Sequence, residues 1–345
     1  MAEKVNFGLT YCDMYKNKYE NFTKGENPNA IAYDEIFVNG NSQESILEIQ
    51  FSETDSRSNP VVGKLWGYNT GNRLAVSSAA IEAVYSGAPV TSYTDSRTWF
   101  SAWDKTSNTT GLPGTYCFKW NQAKFIANQD SKKAQDITLT VGSSTYSNWI
   151  IYRMSDMMLI KAEALAMLGE TKEAMRYVNA IHRRWYCSDN EKDPKQPTED
   201  VTDAQGALND IVLSNANTIG NAPKAASVEI AVMNERLLEF IGEGKRWFDL
   251  VRYAERHAGG VNGTKDEREW SEENPVNSGK VGVDLMIDNF MKITYSNVSE
   301  SLKTRFKNRY GLYNLIHYME IKASVDANGV QHLEQNPVWN KSKYD

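Results

Sequence analysis

Asn234-Glu235-Arg236-Leu237-Leu238-Glu239-Phe240-Ile241-Gly242-Glu243-Gly244-Lys245-Arg246-Trp247-Phe248-Asp249-Leu250-Val251-Arg252 decides how this chain is read. At helical spacing Met233, Leu237, Phe240 or Ile241, Gly244, Trp247 or Phe248, and Val251 share a face. That is the i, i+3, i+4, i+7 pattern of an amphipathic helix, and it predicts one long helix over 227–257. Glu239, Glu243, Lys245, Arg246, Asp249 and Arg252 lie along its edges. Arg246 with Asp249, Asp249 with Arg252, and Lys245 with Asp249 are spaced to pair along one side. Gly242 and Gly244 each cost about 1 kcal/mol of helix propensity against Ala. Glycine inside such a pattern implies that a backbone or a bulky ring packs close.

The chain has 345 residues, enough for one large domain or two ordinary ones. Its 41% hydrophobic content supports a sizeable core, and a net charge of -6 argues against a nucleic-acid footprint. Cys12, Cys117 and Cys187 are far apart and form neither a zinc spacing nor an even disulfide framework. The sequence has no run of about 18 apolar residues. Its first residues carry no positive region followed by an apolar one, and no such region precedes Cys12, which therefore does not read as a lipidation site.

Residues 1–25 read as the end of a helix and a polar loop. Glu44-Ser45-Ile46-Leu47-Glu48-Ile49-Gln50-Phe51 reads as a short strand. From 52 to 148 there is no long helical period; Ser, Thr, Asn and Gly dominate, with Trp66, Tyr68, Tyr93, Trp99, Trp103 and Trp120 among them. Here loops are predicted, with a short helix over 74–84 and a strand over 114–119. Regular helix returns over 149–168, with Ile150, Met154, Met157 or Met158, Lys161 or Ala162, Leu165 and Leu168 forming a stripe. Gly169 stops it, and Thr171 caps a second helix to about 186 whose Ala174, Val178 and Ile181 face inward. Two helices so closely joined make an antiparallel hairpin, and Ala162, Ala164 and Ala166 would let them approach. Beyond these come an exposed loop over 188–200, a helix over 203–213, a polar insertion over 259–282, a helix over 283–292 and an extended end at Gln335-Asn336-Pro337.

At this point the chain resembles the SusD/RagB family of outer-membrane glycan-binding lipoproteins. The opening stretch is similar to the family's signature helix, with Lys245 where the family commonly has His. Glu44 to Phe51, Asp95-Ser96-Arg97, Tyr152-Arg153-Met154-Ser155-Asp156, Ala162-Glu163-Ala164, Asn179, Arg183 and Gln335-Asn336-Pro337 match further elements in order. The signature residues are thus Arg153, Asp156, Glu163, Glu235, Arg236, Glu239, Glu243, Gly244, Arg246, Trp247, Asp249 and Arg252. The resemblance implies a mainly α, SusD-like fold: helical hairpins, a tetratricopeptide-like remnant, long irregular loops and a few short strands. It also implies that the chain is a C-terminal portion, with the helical lobe reduced to Met1 to Val5 and the lipoprotein signal missing. The expected parts are a lobe remnant over 1–25, a loop-rich ligand-binding part over 26–148, a helical core over 149–258 and C-terminal helices with an extended tail over 259–345. The implied partners are an oligosaccharide or polysaccharide and a TonB-dependent, SusC-like transporter; the implied place is the outer membrane, as a surface-exposed lipoprotein serving polysaccharide utilisation.

Catalytic chemistry finds no support. Glu235, Glu239 and Glu243 fall at i, i+4, i+8 on one predicted helix, whereas a glycosidase flanks a sugar bond with two carboxyls, usually from separate elements. Gly242-x-Gly244 lacks the third glycine and the preceding strand of a nucleotide loop. Asp326-Ala327-Asn328-Gly329 reads as a tight turn, because Gln335 stands where a calcium loop needs Glu. No cofactor and no metal is expected. Sugars present apolar C–H faces and polar edges, so a binding site wants Trp or Tyr rings beside planar polar groups. Trp66, Tyr68, Asn69, Arg73, Trp99, Trp103 and Asp104 have that mixture, while Trp247 reads as core. The expected function is capture of a glycan without catalysis. The alternatives are a helical-repeat scaffold for a protein or peptide, and a glycoside hydrolase.

Overall fold

The computed structural model describes residues 34–42, 44–59, 65, 76, 103–104, 115–117, 119–120, 124–127, 137–140, 146–183, 218–219, 222–223, 225–257, 280–291, 299–306, 309–314 and 316–335. The predicted features at 1–25, 188–200 and 203–213 lie outside them, as does 74–84 except Val76, which is buried and has no regular structure. Two compact units are present, Met1–Gly244 and Lys245–Asp345. Among the described residues no helix is long and apolar enough to cross a membrane.

In the first unit β1 (Ser45–Ile49) pairs antiparallel with β6 (Trp149–Arg153), Leu47 opposite Tyr152 and Ile49 opposite Trp149. The strand predicted near 44–51 is therefore present. The first five residues predicted as helix in 149–168 are strand instead. Ile150, Ile151 and Tyr152 are β-formers, and the pairing with β1 overrides the helical stripe. The helix proper, α1 (Met154–Met167), follows at once. It ends as predicted at Gly169, whose φ is +85°. The Gly169 N–H donates to the Ala166 carbonyl and the Glu170 N–H to the Leu165 carbonyl, the paired bonds of a Schellman motif. Helix α2 (Thr171–Arg183) starts at Thr171 itself and returns along α1. The hairpin is completed by α3 (Ala225–Glu239), which packs on both.

The core between these helices contains Met158, Leu159, Ala162, Ala166, Ala174, Val178, Ile181, Val228 and Val232. Burying each large aliphatic side chain here contributes about 1.5–3 kcal/mol. The inward positions of α2 are those predicted. Two on or beside α1 are not: Leu168 is 78% exposed and Ala164 is exposed, because α1 turns Leu159, Ala162 and Ala166 toward its neighbours. Short two-stranded ribbons complete the unit. β2 (Trp103–Asp104) pairs with β3 (Thr115–Tyr116), β4 (Lys124–Ala127) with β5 (Ile137–Thr140), and β7 (Thr218–Ile219) with β8 (Ala222–Pro223).

The predicted single helix over 227–257 is broken. α3 stops at Glu239, residues 240–244 turn, and α4 (Arg246–Arg256) begins the second unit. Gly242 and Gly244 have φ of +81° and +74°, a left-handed backbone that ends the i→i-4 ladder. In the second unit α4 packs with α5 (Lys280–Met286), which continues as a π-helical turn, Ile287–Met291; this is the helix predicted over 283–292. Tyr253 meets Phe290 edge-on, with ring centroids 4.8 Å apart. Trp247 is half-buried, lies 5.1 Å from the Phe306 ring on α6 (Glu300–Phe306), and donates its indole N–H to the Leu312 carbonyl at 3.0 Å. After α7 (Tyr318–Ala323), the Asp326 carboxylate accepts the N–H groups of Asn328 and Val330 at 2.9 Å, so this stretch is the tight turn that was predicted.

Candidate functional site

The turn after α3 gathers a network of buried charges in the first unit. Arg153, at the end of β6, is fully buried there. Its Nε donates to Glu243 Oε2 at 2.9 Å, Nη2 to Glu243 Oε1 at 2.8 Å, and Nη1 to Glu239 Oε1 at 2.7 Å. Glu44 lies 3.4 Å from Nη1, and the Ser155 hydroxyl accepts from the same nitrogen. The ring of Phe240 lies under the Arg153 guanidinium at 4.9 Å and under that of Arg236 at 5.0 Å. Arg236 Nη1 is 2.9 Å from Asp156 Oδ1, close enough for an ion pair though poorly aligned for a hydrogen bond. Glu235 meets His182 of α2 at 2.8 Å.

Burial by itself would push the Arg153 guanidinium down, but the charges of Glu243 and Glu239 outweigh it and hold it well above its ordinary value. Burial likewise favours a protonated Glu243; Arg153 and Lys119 outweigh that and lower its pKa. Losing one member of such a buried network leaves an uncompensated charge, at about 3–5 kcal/mol.

Three residues from the loop-rich part enter this turn. Lys119 Nζ donates to the Glu239 carbonyl at 2.6 Å and to Glu243 Oε1 at 2.7 Å. Trp120 donates its indole N–H to the Gly242 carbonyl at 2.8 Å and stacks on Trp149 with centroids 4.9 Å apart. The Cys117 thiol lies 3.7 Å from the Ile241 carbonyl, and burial raises its pKa to about 11. A Cβ on Gly242 would sit 2.5 Å from Cys117 Sγ, and one on Gly244 3.5 Å from the Trp149 ring. The bulky neighbours implied by the glycines are thus Cys117, Trp120 and Trp149. Sequence reasoning did not single out Lys119; it stood at the end of a short predicted strand, with no signal beyond two glycines that needed a partner. The Trp120 carbonyl accepts from Ser147, whose own carbonyl accepts from Asn59, so 59, 120 and 147 are tied together.

The predicted binding residues stand differently. Trp66, Tyr68, Asn69, Arg73 and Trp99 lie outside the described residues. Trp103 and Asp104 form β2, opposite Tyr116 and Thr115. The signature residues all have structural surroundings. Arg153, Asp156, Glu163, Glu235, Arg236, Glu239, Glu243 and Asp249 are buried. Arg246 lies 5.3 Å over the Phe290 ring, and Asp249 pairs with Arg252 at 3.0 Å, one of the three pairs predicted along that helix. Among the described residues no three His, Cys, Asp or Glu side chains are grouped to hold a metal.

The end of α3 and the turn after it, whose Glu239 and Glu243 close inward on the strand residue Arg153, form an internal brace in the first unit. The sequence model of the SusD family matches residues 9–339, and the chain belongs to that family. A SusD-like protein, P38, of Formosa agariphila is 33% identical over 124 residues, which is 35% of this chain and 20% of that protein. A SusD homolog from Bacteroides thetaiotaomicron aligns over 90% of this chain and 52% of its own, at 17% identity and a TM-score of 0.42. Surface glycan-binding protein A from Bacteroides thetaiotaomicron, solved with laminarihexaose, aligns over 96% of this chain and 63% of its own, at 17% identity and a TM-score of 0.39. The chain therefore spans about half the length of the first of these structures.

Proposed function

We propose that this protein binds glycan without cleaving it. It captures an oligosaccharide at the outer face of the outer membrane, as a surface lipoprotein, and passes it to a TonB-dependent, SusC-like transporter. Family membership carries this reading: the match runs over residues 9–339 and so includes the aromatic-rich part. Lack of catalysis is supported by the state of the signature carboxylates. Glu239 and Glu243 are sealed in ion pairs with Arg153 at 0% side-chain exposure, so neither can serve as a general acid or base toward a substrate. Recognition is assigned to Trp66, Tyr68, Asn69, Arg73, Trp99, Trp103 and Asp104, where rings and planar polar groups occur together.

Calorimetry of the full chain against a panel of host and plant oligosaccharides, with analysis of the products, tests the reading. Affinities between about mM and µM, or roughly -4 to -8 kcal/mol, are expected. Loss of binding in Trp66→Ala or Trp99→Ala, with no new reducing ends, supports it. Release of reducing ends would make the protein a hydrolase, and binding of peptide but no glycan would make it a helical-repeat scaffold.

A further inference from the structure

Lys119 is an ammonium with no exposed side-chain surface, and the proposed recognition chemistry makes no direct use of it. Its two acceptors, the Glu239 carbonyl and Glu243 Oε1, lie at the last residue of α3 and in the turn that follows, which Arg153 grips. It also sits 5.1 Å over the Phe37 ring, so an aromatic face and two oxygens surround it. Arg153 and Lys119 supply two positive charges, and Glu44, Glu239 and Glu243 three negative ones, for a net -1. Without Lys119 the sum becomes -2 in a site with no water-facing surface, where repulsion is weakly screened. The chain geometry gives this ammonium a mechanical role. β3 ends at Tyr116, three residues before Lys119, and pairs with Trp103 and Asp104. Three residues span at most about 11 Å, so Lys119 tethers the ribbon within that reach of the turn.

We infer that Lys119 is a positioning residue: its ammonium pins the β2–β3 ribbon to the turn at 239–244 and so holds Trp103 and Asp104 in place for ligand. The inference rests on the reading that Trp103 and Asp104 touch glycan. Cys117 and Trp120, bonded to the carbonyls of Ile241 and Gly242, flank the pin on the same turn.

The test uses the full chain as wild type, Lys119→Met, Trp103→Phe and the double variant. Hydrogen exchange is read by mass spectrometry, and binding of laminarihexaose, or of the best binder in the glycan panel, by calorimetry. In Lys119→Met, amides of 103–104 and 115–116 should exchange at least about tenfold faster, while those of α3 stay within about twofold. Affinity should fall about tenfold, and by clearly less when Trp103 is already Phe, if the lysine acts through the ribbon position that Trp103 occupies. Unchanged ribbon exchange would overturn the inference, as would affinity losses that simply multiply in the double variant. If Lys119→Met does not fold, Lys119→Met/Glu243→Gln removes one charge of each sign, keeps the sum at -1 and carries the same comparison. If wild type binds none of the glycans, the glycan reading fails, and the exchange result alone decides whether Lys119 pins the ribbon.

Discussion

The two halves of the 234–252 stretch look alike in sequence and do different physical work. Upstream of Gly244, Glu239 and Glu243 close on Arg153 with every side chain out of water. Downstream, Asp249 is buried but its partner Arg252 is 39% exposed. A buried network is costly to break because its charges have no solvent to fall back on, whereas a half-exposed i, i+3 pair is screened and contributes about 0–1 kcal/mol. Charge spacing alone does not separate the two cases. The left-handed glycines do, because they divide a helix that packs into a core from one that opens a new unit.

The most severe way to break this contrast is Arg153→Met. It should lower the unfolding free energy by about 3–5 kcal/mol in urea titration, since Glu44, Glu239 and Glu243 would each lose a buried cationic partner. A loss below about 1 kcal/mol would put the network on the same footing as a surface pair. Gly242→Ala is next, at about 2–4 kcal/mol: a left-handed alanine costs about 1–2, and the new methyl must displace Cys117 Sγ. Cys117→Ala in the same chain should return the steric part and leave the backbone part.

Acid sharpens the comparison by titration. The Glu243 pKa is lowered from the usual 4.5, so its contribution is present above that value and is lost as pH falls through the lowered one. Stability should drop on acidification below about pH 4.5, with a shallower slope in Glu243→Gln. An unchanged slope would remove Glu243 from the network. The smallest effect belongs to Arg252→Ala, about 0.5 kcal/mol by thermal unfolding and fading with added salt.

Much of the helical scaffold was legible because periodicity and punctuation agreed. The α1–α2 hairpin, its Gly169 stop, the inward Ala174, Val178 and Ile181, and the helix after 280 all follow from local pattern. The misreadings came where a distant partner outweighed local pattern. Trp149 to Arg153 continue the helical stripe on paper but pair with β1, a hundred or more residues upstream. The glycines of the long predicted helix announced a close neighbour without naming it, since Cys117 and Trp120, which crowd Gly242, are about 120 residues away in sequence. The binding residues were legible only as a composition: a Trp beside Asn or Asp has the chemistry for sugar, but spacing within irregular chain does not say which rings face a ligand.

The central claim is that the signature stretch braces the fold while recognition lies in the loop-rich part. Trp247→Ala tests it most directly, with melting and glycan binding measured on the same preparation. Trp247 is half-buried against Phe306 and bonded to the Leu312 carbonyl, so its loss should cost about 3 kcal/mol, at the low end for large rings, and leave glycan affinity unchanged. An unshifted melting temperature together with abolished binding would reverse the two roles.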